Sequence, residues 1–298
     1  MNNSKNKKYL SISLSFGMAG IDILSILFFT PLIFILPLFM GMELVQLIHY
    51  FLTVSSTFFI LYFIRKKRTG ETSFHFSTPK ISILPFIIIG SFAMVYGIMN
   101  PFFDLLPMPE IFTGYAEYQS VIENIENQYP SIAGKFSDYI ENLTGDYPIG
   151  IPTFFSLVVL APFFEELIYR GIILDGLLKR YSAVTSILIS GLIFGLLHLN
   201  LVQIIPAFVA GIFIGWVYYK TRNLICTIII HVCMNLTGFI EGIFFQKFPQ
   251  YENPIELYGG LGSYIIVMII SILVFVACVF YLRKLFNKQD NLIGKREE

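Results

Sequence analysis

Residues 156–174 read SLVVLAPFFEELIYRGIIL, a stretch apolar enough for the interior of a bilayer that nevertheless holds Glu165, Glu166 and Arg170. On insertion scales a lone charge at the centre of a membrane helix costs about 2.5 to 3.5 kcal/mol, so three of them in one span need a reason. Glu166 and Arg170 are four residues apart and share a helix face, where each offsets the other's charge. Glu165 points about 100° away and is left unpaired, free to face another helix or a water-filled cavity. A carboxylate beside a like charge in a poor solvent holds a proton more readily, the usual condition for a general base.

The rest of the chain sets the solvent around those charges. Of 298 residues, 55% are apolar, 31 are Phe and 13% are charged, and the mean hydropathy is +0.71. This composition excludes an ordinary water-soluble domain and specifies an all-α polytopic membrane protein. The formal net charge of zero gives no reason to expect a nucleic-acid partner. Cys226, Cys233 and Cys278 all lie in apolar runs and read as small packing residues, not as a disulfide framework.

At about 20 residues per crossing, eight spans are expected, at 10–38, 44–64, 81–103, 150–177, 182–199, 201–219, 223–245 and 261–282. The first is too long for a signal sequence and lacks a small-residue cleavage site, so it is read as retained. With both termini cytoplasmic, Lys5, Lys7, Lys8, the run 65–68, Lys80, Lys179, Arg180, Lys220, Arg222 and the tail cations share one side, and only Lys135 and Lys247 fall on the other. That is the asymmetry expected of cytoplasmic loops. The chain divides into a three-span region 1–103, an acidic extracytoplasmic insert 104–149 with short amphipathic helices, a helical core 150–245, and a last span with a basic tail 246–298.

Other ionisable residues expected within spans are Asp22, Asp175, His198, His231 and Glu241. Asp175 and Glu241 are read as boundary residues, and Asp22 has no accompanying motif. Phe194 and His198 share a helix face, as do His231 and Asn235. Gly191 and Gly195, then Gly211 and Gly215, form GxxxG faces that let helices approach closely. Taken singly, the three charges read as a helix clamp and each histidine as a packing residue; together and in order they describe converging helices.

The motifs E-E-x-x-x-R at Glu165, Glu166 and Arg170, F-x-x-x-H at Phe194 and His198, and H-x-x-x-N at His231 and Asn235 resemble those of the CAAX-protease and bacteriocin-processing (CPBP, or Abi) family of intramembrane glutamic endopeptidases. The resemblance covers 150–245. It implies that Glu165 and His198 activate a water molecule, that His231 and Asn235 hydrogen-bond the oxyanion, and that Glu166, Arg170 and Phe194 support them. It implies no cofactor, a membrane-associated peptide or protein substrate and a surrounding lipid bilayer. The Lys-, Asn-, Ile- and Phe-rich composition favours a bacterial cytoplasmic membrane and peptide maturation or bacteriocin immunity. Two alternatives stay open. Glu165, His198 and His231 also form a zinc donor set, although no H-E-x-x-H is present, and a non-catalytic scaffold for a sensor kinase or cell-wall enzyme could use the same charges for packing.

Overall fold

The computed structural model describes residues 9–36, 40–105, 150–198, 201–248 and 254–297. Its regular structure is entirely helical, without strands among those residues. Helices α1 (Ile12–Phe29) and α2 (Pro31–Ile35) lead to α3 (Met42–Thr69). Helix α4 (Leu84–Met94) runs through wide π turns at Val95–Met99 into α5 (Asn100–Leu105). The core begins with one long irregular rod: α6 (Ile151–Phe154), π turns at Phe155–Leu160, α7 (Ala161–Glu166), π turns at Leu167–Leu174, and α8 (Asp175–Leu177). Then come α9 (Ala183–Leu196), α10 (Leu201–Thr221), α11 (Leu224–Lys247), α12 (Pro254–Leu257) and α13 (Leu261–Glu297). The expected amphipathic helices of the 104–149 insert fall, from residue 106 on, outside the described residues.

Among the described residues, seven helical stretches are long and apolar enough to cross a membrane: Ile12–Ile33, Leu44–Thr69, Leu84–Phe102, Ile151–Leu177, Gln203–Thr221, Leu224–Phe245 and Leu261–Lys288. They correspond to seven of the eight expected spans, and the eighth is the shorter apolar helix Ala183–Leu196. The chain is an integral membrane protein by this pattern of apolar helices. Lipid-facing surfaces follow from it, since Leu27 and Phe28 on α1 and Leu273 and Phe280 on α13 turn outward, each more than 60% exposed. In a bilayer such side chains sit in hydrocarbon, and backbone polar groups there must find their partners within the protein.

Local signals fix the ends. Ser11, Ser182 and Asn223 each accept a hydrogen bond from the first-turn backbone of α1, α9 and α11, as N-caps do. Gly70 ends α3 in the left-handed conformation, with φ 72°. The loop after it is tied down by Asn223, whose side chain donates to the Ser77 carbonyl at 2.7 Å, and by the Leu224 amide, which donates to the His75 carbonyl at 2.9 Å. Phe74 thereby reaches the rod, where a Cβ on Gly171 would stand 2.8 Å from its ring.

Helices α9 and α10 form the tightest contact. A Cβ on Gly211 would lie 2.9 Å from the Gly191 Cα, and one on Gly195 would lie 2.6 Å from the Ile204 carbonyl oxygen. Gly215 packs less closely, 3.4 Å from Ile187 by the same construction. Both small-residue faces read from the sequence therefore meet. Cys226 and Cys278 are buried and Cys233 is partly buried, all three as free thiols.

Candidate active site

A proline sets up the site. In the π turns before α7, the Ala161 amide bonds the Ser156 carbonyl five residues back. The next donor in that register would be residue 162, which is proline and has no N–H. The Leu157 carbonyl is released, and Asn235 on α11 fills the vacancy, its Nδ2 donating to that oxygen at 2.8 Å. The helix widens again from Leu167 to Leu174, so both carboxylates sit between two wide segments of a kind that clusters at functional sites.

Glu166 and Arg170 pair as their spacing predicts. Arg170 Nη1 donates to Glu166 Oε1 at 2.7 Å, with the two side chains 1% and 0% exposed. Arg170 also donates to the Gly211 carbonyl at 3.3 Å and lies 4.7 Å above the Phe194 ring. The close α9–α10 approach places both acceptor and ring there. The pair has a third member, because His231 Nδ1 lies 2.9 Å from the same Glu166 Oε1. Glu166 Oε2 and Arg170 Nε are buried without a partner in the described structure.

Glu165 is not unpaired, as its own helix alone suggested. The Tyr50 hydroxyl, on α3, donates to Glu165 Oε1 at 2.8 Å. The other oxygen, Oε2, faces His231 Nε2 at 3.8 Å, too long for a direct hydrogen bond and a place to ask whether water intervenes. Glu165 keeps 21% of its side chain exposed while Glu166 keeps none. Sequence reasoning missed Tyr50, and the same contact brings in Asp22, whose oxygens accept from Thr57 at 2.9 Å and Tyr169 at 3.4 Å.

Phe194 is the hinge between the two histidines. Its ring centroid is 5.0 Å from the His198 ring and 5.6 Å from the His231 ring, edge to face in both cases, and Tyr169 adds a third ring at 5.1 Å. His198 is exposed at the end of α9, and its Nδ1 lies 2.9 Å from the Phe194 carbonyl. A carbonyl only accepts, so Nδ1 carries the proton and Nε2 offers a lone pair when the ring is neutral. The structure thus joins Glu165, Glu166, Arg170, Phe194 and His231 in one contact network and attaches His198 to it through Phe194. No hydrogen bond or ion pair joins His198 to Glu165 among the described residues. Asn235 follows His231 by one turn and faces Leu157.

For a metal, the donors do not gather: among the described residues no three His, Cys, Asp or Glu side chains stand close enough to hold one ion. Glu165 and His231 approach each other, and His198 does not complete a zinc set with them.

Asp175, read as a boundary residue, is 1% exposed. Arg65, Lys179 and Arg222 donate to it at 3.2, 2.8 and 2.9 Å. Glu241, the other residue so read, is partly buried and accepts from Asn100 at 2.9 Å.

Comparison with known proteins covers this same core. Residues 148–237 match the family described as type II CAAX prenyl endopeptidase Rce1-like. The UPF0177 protein YxdF of Lactococcus lactis subsp. lactis (strain IL1403) is 30% identical over 100 residues, which is 33% of this chain and 54% of that protein. The chain therefore spans about half the length of the curated relative it matches. No solved structure matches it significantly.

Proposed function

Because the core of this chain belongs to the family of CAAX-type membrane proteases within the CAAX-protease and bacteriocin-processing group, we propose that it is an intramembrane endopeptidase of the glutamic type, acting on a membrane-associated peptide or protein. The observation that carries the proposal is the division of labour between adjacent acids. Glu166 is locked by Arg170 and His231, whereas Glu165 is held by a neutral phenol and keeps one oxygen toward the exposed side of the site.

The chemistry follows from those positions. Water is polarised between the Glu165 carboxylate and the His198 Nε2 lone pair, and its oxygen attacks the scissile carbonyl carbon as Glu165 takes a proton. The carbonyl π electrons move to oxygen, giving an oxyanion. His231 meets it with Nε2–H while Nδ1–H stays on Glu166. Asn235 has two amide hydrogens, and with one committed to Leu157 the other serves the oxyanion. Each such donor is worth about 3 kcal/mol in a site of this kind. Collapse breaks the C–N bond as the nitrogen takes the proton held by Glu165, the remaining hydroxyl proton passes through the His198 Nε2 lone pair to solvent, and a carboxylate and an amine leave.

A bacterial cytoplasmic membrane fits the composition and the Lactococcus relative, and peptide maturation or bacteriocin immunity is the task we propose there. The test is cleavage of a membrane-associated peptide library by purified protein in nanodiscs, with Glu165→Gln and His198→Ala as comparisons, each with and without EDTA. Chelator-resistant activity lost in both variants supports the proposal. Activity abolished by EDTA and restored by zinc replaces the glutamic mechanism with a metal-dependent one. Folded protein that cleaves nothing, with Glu165→Gln still complementing a deletion strain, replaces it with a scaffold.

A further inference from the structure

The family-matched segment, 148–237, supplies every residue of the proposed mechanism, yet the donor that holds the proposed general base comes from outside it. Tyr50 lies 115 positions before Glu165 and hydrogen-bonds its Oε1 at 2.8 Å. We propose that Tyr50 is a positioning residue for Glu165, so that the N-terminal helices complete the site instead of only surrounding it.

The geometry gives the phenol its task. Anchoring Oε1 fixes the carboxylate plane and leaves Oε2, 3.8 Å from His231 Nε2, to take the proton of the attacking water. The other charged or titratable groups facing Glu165 are Asp22 from α1, Glu166, Tyr169 and Arg170 from its own rod, and His231 from α11. Of these, Arg170 and His231 are both committed to Glu166 Oε1. The direct hydrogen bond that Glu165 itself accepts in the described structure is the one from Tyr50.

Helix α3 is held in place for this. Two turns beyond Tyr50, Thr57 bonds Asp22 of α1 at 2.9 Å, and Tyr169 of the rod bonds the other Asp22 oxygen at 3.4 Å. Phe51 and Phe58 flank Phe164 edge to face at 6.1 and 6.0 Å. The residue before Glu165 is thus clamped between two aromatic rings of the helix that carries Tyr50.

The catalytic sense of this inference rests on the hydrolase reading, so the experiment reads the two separately. The carboxylate stretching bands are recorded by difference infrared spectroscopy on the full chain in detergent at one fixed pH. Glu165 is assigned by the band lost in Glu165→Gln, and Tyr50→Phe, which keeps the ring and its packing, is compared with wild type. Loss of the phenol's hydrogen bond is expected to shift the frequency of the Glu165 band in Tyr50→Phe, and kcat falls by about one order of magnitude while KM holds, because the phenol touches the base and not the substrate. An unchanged band overturns the positioning role whatever the activity. A shifted band in a protein that cleaves no peptide upholds Tyr50 as the partner of Glu165 and overturns the hydrolase reading alone.

Discussion

One rod, residues 151–177, carries two carboxylates ten positions apart whose surroundings could hardly differ more. Asp175 is saturated: Oδ2 accepts from Arg65 and Lys179, and Oδ1 from Arg222 and the Tyr218 hydroxyl. Three cations converge on one buried acid from α3, from the end of the rod and from the α10–α11 turn. Each oxygen of Asp175 thus has two donors. Glu165 has a neutral donor on one oxygen and an imidazole at 3.8 Å from the other. The first arrangement joins helices, and the second leaves a carboxylate able to exchange a proton. An acid in a membrane helix is functional by default only until its partners are counted.

The largest expected effect breaks the comparison if it fails. Glu165→Gln should lower peptide cleavage by about 10²- to 10⁴-fold or more and leave the melting temperature in detergent nearly unchanged. Asp175→Asn should do the reverse: it takes from the buried Arg65 and the more exposed Lys179 and Arg222 the acid they share, destabilises by about 3 kcal/mol, and spares the activity of whatever remains folded. Equal losses of melting temperature in the two variants would make both acids structural.

Arg170→Met sharpens the comparison, since Arg170 belongs to both kinds of site. It would strand the buried Glu166 and destabilise by about 3 to 5 kcal/mol, and it would also free His231 to move. Thermal unfolding and residual cleavage should fall together. Restoring stability by adding Glu166→Gln, without restoring activity, would separate the two roles. Asn235→Ala comes next. Rate should fall by about 10²- to 10³-fold if the second amide hydrogen meets the oxyanion. A small drop in melting temperature with full rate would reduce Asn235 to a cap on the Leu157 carbonyl.

Gly195→Ala tests packing at the same site. Its Cβ would stand 2.6 Å from a backbone oxygen of α10, a contact that no rotamer can relieve. Overpacking of this kind costs about 1 to 3 kcal/mol. Because Gly195 lies one turn before His198, kcat should fall as well as the melting temperature.

What the sequence revealed and what it hid divide along contact distance in the chain. The spans were legible because twenty apolar residues have few other uses, and the Glu166–Arg170 pair because four residues is one helical turn. The glycine faces were legible for the same reason of period. Tyr50 was not, because its contact depends on which helix packs beside the rod, and a tyrosine in an apolar helix needs no explanation by itself. A faint signal exists in the stripe Tyr50, Thr53, Thr57, Leu61 and Arg65, at helical spacing along one face of α3, whose last four members are all under 7% exposed. The cations that hold Asp175 were hidden because they come from three places that meet only after folding. The duty of Asn235 toward Leu157 depends on a π register that Pro162 makes possible and that no periodicity announces.

The smallest expected effect concerns a third carboxylate, Asp104, just beyond the end of the third span. It resembles Glu165 in accepting from a phenol, the Tyr264 hydroxyl at 2.5 Å, and resembles neither site in lying at the membrane boundary. Burial holds its carboxyl above the ordinary value of 3.8, and the bond from Tyr264 opposes that shift without cancelling it. The sign is then fixed. The folded state binds the proton more tightly than the unfolded state, so this contribution to stability is fully present below pH 3.8 and is lost as pH rises through the higher folded-state value. The melting temperature of wild type minus that of Asp104→Asn should therefore fall as pH rises across this acid window. A difference that rises instead would mean that the Tyr264 bond outweighs burial. Asp104 would then belong with Asp175, as an acid whose charge the fold favours.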